Sequence, residues 1–286
     1  MRSWLFVPAD SERKLARAFD TGADVIILDL EDSVAEARKP VARALAREAA
    51  ADAPGTVAVR INPLPGPHAA ADIAAIVPAA PAFIVLPKSE AGRDVTELSA
   101  RLCVAEAEAG RAEGATAIMA IATETAASLF GLGTYRGASA RLKAMAWGAE
   151  DLSTALDARR TRLPGGALTD AFALARTLCL AGAHAAGVAP IDTVFTAYKD
   201  EKGLMAECAA AAADGFYGKM AIHPAQVPLI NAAFTPSAAE IAEAKRVVDA
   251  FATAPGAGVL TLDGKMVDRP HLANAERLLA RAAAIS

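Results

Sequence analysis

Short runs that are apolar throughout alternate along this chain with longer segments rich in Ala, Leu, Glu and Arg. The short runs cover residues 3–8, 25–31, 56–62, 83–88, 117–123, 142–148, 187–194 and 218–223. They are too brief for helices, are often β-branched, and lack polar alternation, as parallel strands buried on both faces do. Helical segments fall between them at 12–19, 37–51, 94–114, 169–186 and 204–214. Eight strands with intervening helices and no Gly/Ser/Pro linker predict a closed (β/α)8 barrel, the TIM-barrel architecture. A doubly wound open sheet would place a Gly-rich phosphate loop after the first strand, and Val7-Pro8-Ala9-Asp10-Ser11 is not one.

Beyond the eighth run the pattern changes. A helix over 237–253 starts from a Ser cap behind Pro236. Pro255-Gly256-Ala257-Gly258, a strand–turn signal at 261–265 and a last helix after Pro270 follow. The expected organisation is a catalytic barrel over 1–235 and, over 236–286, a C-terminal helix plus a helical lid or arm packing on a neighbouring subunit. The glycine-rich entry reads as its hinge.

Composition narrows the classes. Of the 286 residues, 54% are hydrophobic, enough for a large core. The formal net charge of −4 leaves no basic footprint for nucleic acid or an anionic membrane. No apolar stretch reaches the roughly 18 residues that span a bilayer, and Met1-Arg2-Ser3 leads directly into a strand without a signal-type apolar segment. Cys103, Cys179 and Cys208 have neither metal-ligand spacing nor an even count, which predicts buried thiols in a reducing cytoplasm.

The chemistry lies at the strand ends, where barrels of this type keep their active sites. The runs finish in Asp29-Leu30-Glu31-Asp32, Arg60-Ile61-Asn62, Pro87-Lys88, Thr123-Glu124-Thr125, Gly148-Ala149-Glu150-Asp151 and His223. Carboxylates converging on one rim repel unless a cation or Arg/Lys partners sit among them. Carboxylates without a Cys/His cluster suit a hard, oxygen-liganded ion, and Mg²⁺ fits best. The four histidines lack zinc spacing, and neither a nucleophile elbow nor a Walker A loop is present. On these grounds the chain is a metal-assisted barrel enzyme.

Several motifs go further. They are Arg2-Ser3-Trp4-Leu5-Phe6-Val7-Pro8, Leu28-Asp29-Leu30-Glu31-Asp32-Ser33-Val34, Val59-Arg60-Ile61-Asn62 and Leu86-Pro87-Lys88. Ala122-Thr123-Glu124-Thr125, Trp147-Gly148-Ala149-Glu150-Asp151-Leu152 and Gly218-Lys219-Met220-Ala221-Ile222-His223-Pro224-Ala225-Gln226 complete the set. In this order the chain resembles the citrate lyase β-subunit-like proteins of the HpcH/HpaI aldolase superfamily, which include malyl-CoA and citramalyl-CoA lyases. The resemblance implies a (β/α)8 barrel assembled as a homotrimer or hexamer. It also implies Mg²⁺ held by Glu124 and Asp151, and a catalytic, substrate-contacting Arg60. Where the family commonly has Ile-Glu-Thr this chain has Ala122-Thr123-Glu124-Thr125, a departure that leaves Glu124 in register. In the lyases acting on free CoA thioesters, a C-terminal arm gives an aspartate to the neighbouring subunit's site. The segment around Asp263-Gly264-Lys265 and Asp268 resembles that arm, with Asp268 matching the catalytic aspartate; capping of the last helix is its structural alternative.

The expected reaction is Mg-dependent cleavage of a 3-hydroxyacyl-CoA thioester to an acyl-CoA and a 2-oxo acid. Glu124, Glu150, Asp151 and Arg60 bind the substrate, Arg60 stabilises the developing oxyanion, and Asp268 moves the proton. Glu31, Asp32 and Lys88 orient Arg60 and metal-bound water. Arg13 and Lys14, opening the first helix, match a CoA-contacting region of the relatives, and His223 and Gln226 are candidates for lining the pocket. Two alternatives stand beside this. One is a citrate lyase β subunit acting on a carrier-bound citryl thioester, and the other is a malyl-CoA thioesterase.

Overall fold

The computed structural model describes residues 1–285. Its strands are β1 (Ser3–Pro8), β2 (Val25–Asp29), β3 (Val57–Arg60), β4 (Phe83–Leu86), β5 (Ala117–Ile121), β6 (Leu142–Ala146), β7 (Ala189–Asp192) and β8 (Gly218–Ala221). Each pairs in parallel with the next, and β8 returns to β1 through Trp4 and Met220, closing the expected barrel. After β1 the strands are shorter than the apolar runs at their C-terminal ends. Residues such as Glu31, Lys88 and Gly148 have left the ladder and belong to the rim loops.

The helices of this part are α1 (Glu12–Ala18), α2 (Lys39–Ala51), α3 (Ala69–Ile76), α4 (Gly92–Glu108), α5 (Ser128–Gly131) and α6 (Glu150–Ala155). They continue with α7 (Asp170–Ala186), α8 (Glu201–Asp214) and α9 (Val227–Phe234). Local chemistry sets several ends. Pro40 opens the first turn of α2, and Asp200 caps α8 by accepting the Gly203 N–H at 2.9 Å. Gly187 (φ 72°) closes α7 in the left-handed region that an L-residue resists. The helices α3, α6 and α9 were not separable in the sequence. Each is at most eight residues long, too short for a 3.6-residue period to stand out from flanking apolar residues.

Inside the barrel, alternate strand residues fill the axis. Trp4, Ile27, Phe83, Met119 and Met220 supply bulk, while Ala58, Ala144 and Ala146 make room for it. The Trp4 and Phe83 rings meet edge to face, 5.1 Å between centroids. This plug fills the barrel axis. The other strand face, with Leu5, Ile26, Leu28 and Val59, is buried toward the helices. Cys179 and Cys208 are buried as expected. Cys103 is only half-buried, its sulfur accepting from Arg141 at 3.2 Å at the edge of a helix. Among the described residues no helix is long and apolar enough to cross a membrane.

The chain divides into two compact units, Met1–Asn231 and Ala232 onward. The second holds α10 (Ala238–Thr253), a hairpin of β9 (Val259–Leu262) and β10 (Lys265–Asp268), and α11 (Arg269–Ala283). Ser237 caps α10 in a reciprocal box with Glu240. The hairpin turns at Asp263 and Gly264, both at positive φ, as a two-residue primed turn requires. Val247, Phe251, Val267 and Ala275 form this unit's own small core.

Candidate active site

Alternation along the strands decides which charges reach the mouth. Asp29 ends β2 two residues beyond Ile27, and Arg60 ends β3 two residues beyond Ala58, so both point toward the axis. The parallel register sets them side by side. Arg60 donates to Asp29 through Nε and Nη2, both at 2.7 Å, in a bidentate pair. Its Nη1 lies 2.9 Å from Glu31 Oε2, an ion pair without hydrogen-bond alignment. The guanidinium also stacks over the Phe6 ring at 4.7 Å.

Lys88 joins the next carboxylates. Its ammonium lies 2.5 Å from Glu31, 3.5 Å from Asp32 and 3.8 Å from Asp151. Its backbone N–H donates to Glu124 Oε2 at 2.5 Å, from a conformation with φ 50° that only a constrained non-glycine residue keeps. Gly148 faces Glu124 so closely that a Cβ there would stand 2.7 Å from Glu124 Cγ. Glu150 and Asp151 occupy the first turn of α6, where the helix dipole favours negative charge. Arg60, Asp32, Glu124, Glu150 and Asp151 line one cavity of about 410 Å³ at the barrel mouth.

The charge balance of this mouth is uneven. Six carboxylates (Asp29, Glu31, Asp32, Glu124, Glu150, Asp151) face two cations (Arg60, Lys88). Burial works to raise Asp29, but the Arg60 fork overrides it and holds that carboxyl below its ordinary range. Burial raises Glu31 despite Arg60 and Lys88. Glu124, only 5% exposed, is pushed up to about 8, mainly by burial and further by Glu31 and Asp151. A buried acid held neutral next to further carboxylates is a place where a divalent cation would restore the charged form. Among the described residues no three His, Cys, Asp or Glu side chains are grouped to hold a metal by themselves. Two carboxylates with water and substrate oxygens is how Mg²⁺ is commonly bound, so Glu124 and Asp151 fit that ion.

Seven of the residues singled out in the sequence therefore meet: Arg60, Glu31, Asp32, Lys88, Glu124, Glu150 and Asp151. Others do not join them. Arg13 and Lys14 are exposed on α1, away from the cavity lining. Gln226 is a buried brace instead of a wall residue. It accepts from the Ile222 and His223 N–H groups and donates to the Phe195 carbonyl, tying the β7 and β8 loops together. His223 stacks on Tyr198 at 4.7 Å. In the second unit Asp268 is the N-cap of α11. It accepts the His271 N–H at 3.3 Å and contacts the imidazole at 2.5 Å, and that contact holds its carboxyl below the ordinary range.

Two features escaped the sequence reading. Asp29 was visible as a strand-end acid, but its fork on Arg60 depends on the β2–β3 register. The other is a charge cluster between β7, β8 and the helices α7 and α8. Lys219, with no exposed surface, reaches Asp192 at 2.7 Å and Glu207 at 2.6 Å, and Trp147 Nε1 donates to Asp192 at 2.6 Å. Arg176 lies 3.6 Å from Asp192 and 2.7 Å from Asp214, and Arg162 pairs with Glu207. The Gly218-Lys219-Met220 motif hinted at this lysine, since it lies one residue out of phase with the barrel-filling Met220.

The sequence profile described as HpcH/HpaI aldolase/citrate lyase matches residues 2–224, nearly the whole barrel. The chain belongs to the HpcH/HpaI aldolase/citrate lyase family. Within it, the citrate lyase subunit beta-like protein of Mycobacterium tuberculosis is 38% identical over 279 residues, spanning 98% of this chain and 94% of its own. The (3S)-malyl-CoA thioesterase of Cereibacter sphaeroides is 36% identical over 294 residues, spanning 100% and 95%. Among family structures, Mycobacterium tuberculosis CitE in complex with magnesium, acetoacetate and coenzyme A superposes with a TM-score of 0.77. It is 36% identical and covers 99% of this chain and 98% of the other.

Proposed function

We propose that this protein is a Mg²⁺-dependent lyase that cleaves a 3-hydroxyacyl-CoA thioester of the malyl-CoA or citramalyl-CoA type into an acyl-CoA and a 2-oxo acid. The observation that carries the reading is the mouth itself, with Glu124 and Asp151 in carboxylate excess beside a fixed Arg60. The relative bound to magnesium, acetoacetate and coenzyme A supports the choice of ion and of a CoA-bearing substrate.

In the cleavage direction the substrate hydroxyl gives its proton to a mouth carboxylate. The bond between the hydroxyl-bearing carbon and the carbon next to the thioester breaks, and its electron pair moves onto the thioester as an enolate. A proton then returns to that carbon. A bound Mg²⁺ supplies positive charge for the substrate's hydroxyl and carboxylate oxygens, with Glu124 and Asp151 to hold it. Arg60 cannot swing freely, because Asp29 occupies two of its donors and Phe6 its face. Its remaining N–H groups are therefore pre-aimed at developing negative charge. Glu31, Asp32 and Lys88 keep Arg60 and the carboxylates in place. Asp268 is the proposed proton carrier, supplied by a neighbouring copy of the chain, and Arg13 with Lys14 is the proposed contact for CoA phosphates.

The deciding experiment is product analysis on purified protein with Mg²⁺ and malyl-, β-methylmalyl- and citramalyl-CoA. A 2-oxo acid released together with an acyl-CoA is expected. A hydroxy acid with free CoA would assign the protein to hydrolysis instead, the reading favoured by its likeness to the malyl-CoA thioesterase. Turnover confined to a carrier-bound citryl thioester would make it a citrate lyase β subunit. For Asp268, Asp268→Asn keeps an equally good helix cap while removing the transferable proton. Mixing that variant with Glu124→Gln should regain activity if sites are shared between copies.

A further inference from the structure

Thr193 is the first residue after β7. Along that strand Ala189 and Ile191 face the barrel axis, whereas Asp192 faces the helices and holds Trp147 and Lys219. The two-residue alternation turns Thr193 back toward the axis, where it lines the same cavity as Arg60, Glu124 and Asp151. It is 1% exposed, and its hydroxyl makes no hydrogen bond. Its neighbours in that wall, Ile121, Val194 and Met220, are apolar.

A buried hydroxyl without a partner lowers the stability of a protein, and valine would fill the same space without that loss. Threonine here makes sense if something that enters the cavity supplies the partner. The other polar wall groups are almost all committed or of the wrong kind. Ionised carboxylates only accept, and Arg60 commits two of its donors to Asp29. Thr193 is then a neutral donor in a wall of acceptors. A 120° step in χ1 moves the hydroxyl to the position that its methyl or its Cβ hydrogen now occupies, so the donor can be re-aimed without backbone movement.

We infer that Thr193 is a substrate-binding residue whose hydroxyl donates to an oxygen of the 2-oxo acid half of the substrate. The inference rests on the lyase reading above, and it adds a residue that family motifs do not point to. The test compares wild type, Thr193→Val and Thr193→Ser in two measurements. Without metal or ligand, Thr193→Val should melt about 2–4 °C higher, because it removes the unpaired hydroxyl from an otherwise unchanged core. In calorimetric titration with glyoxylate and with pyruvate in the presence of Mg²⁺, Thr193→Val should bind about tenfold more weakly, one lost hydrogen bond. Thr193→Ser should recover most of that affinity.

Equal affinity of wild type and Thr193→Val would overturn the inference while leaving the lyase reading intact. So would a lower melting temperature for Thr193→Val, since the hydroxyl would then have a partner inside the protein. If wild type binds neither acid, the functional reading fails and this inference fails with it.

Discussion

Two charge clusters lie on the two faces of the barrel wall, and they are balanced differently. The outer one, between barrel and helices, sets Lys219, Arg176 and Arg162 against Asp192, Glu207 and Asp214, three against three. Burial opposes the charged forms of Lys219 and Asp192, yet their mutual attraction keeps Asp192 low and Lys219 high. The inner one, at the mouth, has six carboxylates for two cations and holds Glu124 near 8. The outer cluster is complete without a ligand, as a structural tie between β6, β7 and β8 should be. The inner one is left unfinished, as a binding site for a cation should be.

That contrast can be broken experimentally. The largest expected effect is at the inner cluster. Glu124→Gln or Asp151→Asn should lower Mg²⁺-dependent turnover by on the order of 1000-fold, since each removes one of the two proposed ligands of an ion that would contribute several kcal/mol to the transition state. The melting temperature should hold or rise, which circular dichroism can follow. Arg60→Ala comes next, with an expected loss of about 100- to 1000-fold in kcat from its proposed role as an oxyanion donor, and a loss under tenfold would remove it from that role.

At the outer cluster the signs reverse. Lys219→Met should destabilise the fold by about 3–5 kcal/mol in urea unfolding, because it strands Asp192 and Glu207 in a buried setting. Replacing Asp192 by Asn in the same chain should recover part of that loss. Whatever protein still folds should keep the activity of its intact mouth.

The smallest effect is in acid. Asp29 and Asp192 both have folded values below the ordinary carboxylate range, so each adds stability that is fully present above about pH 4. That contribution is lost progressively as pH falls further, toward the depressed folded values. A melting-temperature series from pH 6 to pH 2 should bend down below about pH 4, and the bend should be shallower in Asp192→Asn.

Much of the barrel was legible because burial on both faces leaves a plain signature, apolar runs without alternation. All eight runs became strands, and Ser3–Pro8 kept both its ends. The runs overshot elsewhere because rim residues such as Leu30 and Ile61 stay buried after the ladder ends. The mouth acids were legible as polar residues closing apolar runs. Which of them would touch was not, because contact depends on register and loop conformation. The Asp29–Arg60 fork needs β2 and β3 in one alignment, and the Lys88–Glu124 bond needs a positive φ that no residue type announces. Thr193 was hidden for a simpler reason: one hydroxyl in an apolar stretch carries no pattern.

The Trp147–Asp192 hydrogen bond gives the protein an optical handle of its own. The chain holds two tryptophans, both buried, and Trp4 sits in the plug of the barrel, where a ligand at the mouth has no direct contact with it. Trp147 directly precedes the glycine that packs on Glu124, and its indole N–H donates to the Asp192 carboxylate. In a Trp4→Phe background its emission becomes a single-site gauge of events at the mouth. Filling of the inner cluster can then be timed by fluorescence, without a label and without waiting for turnover.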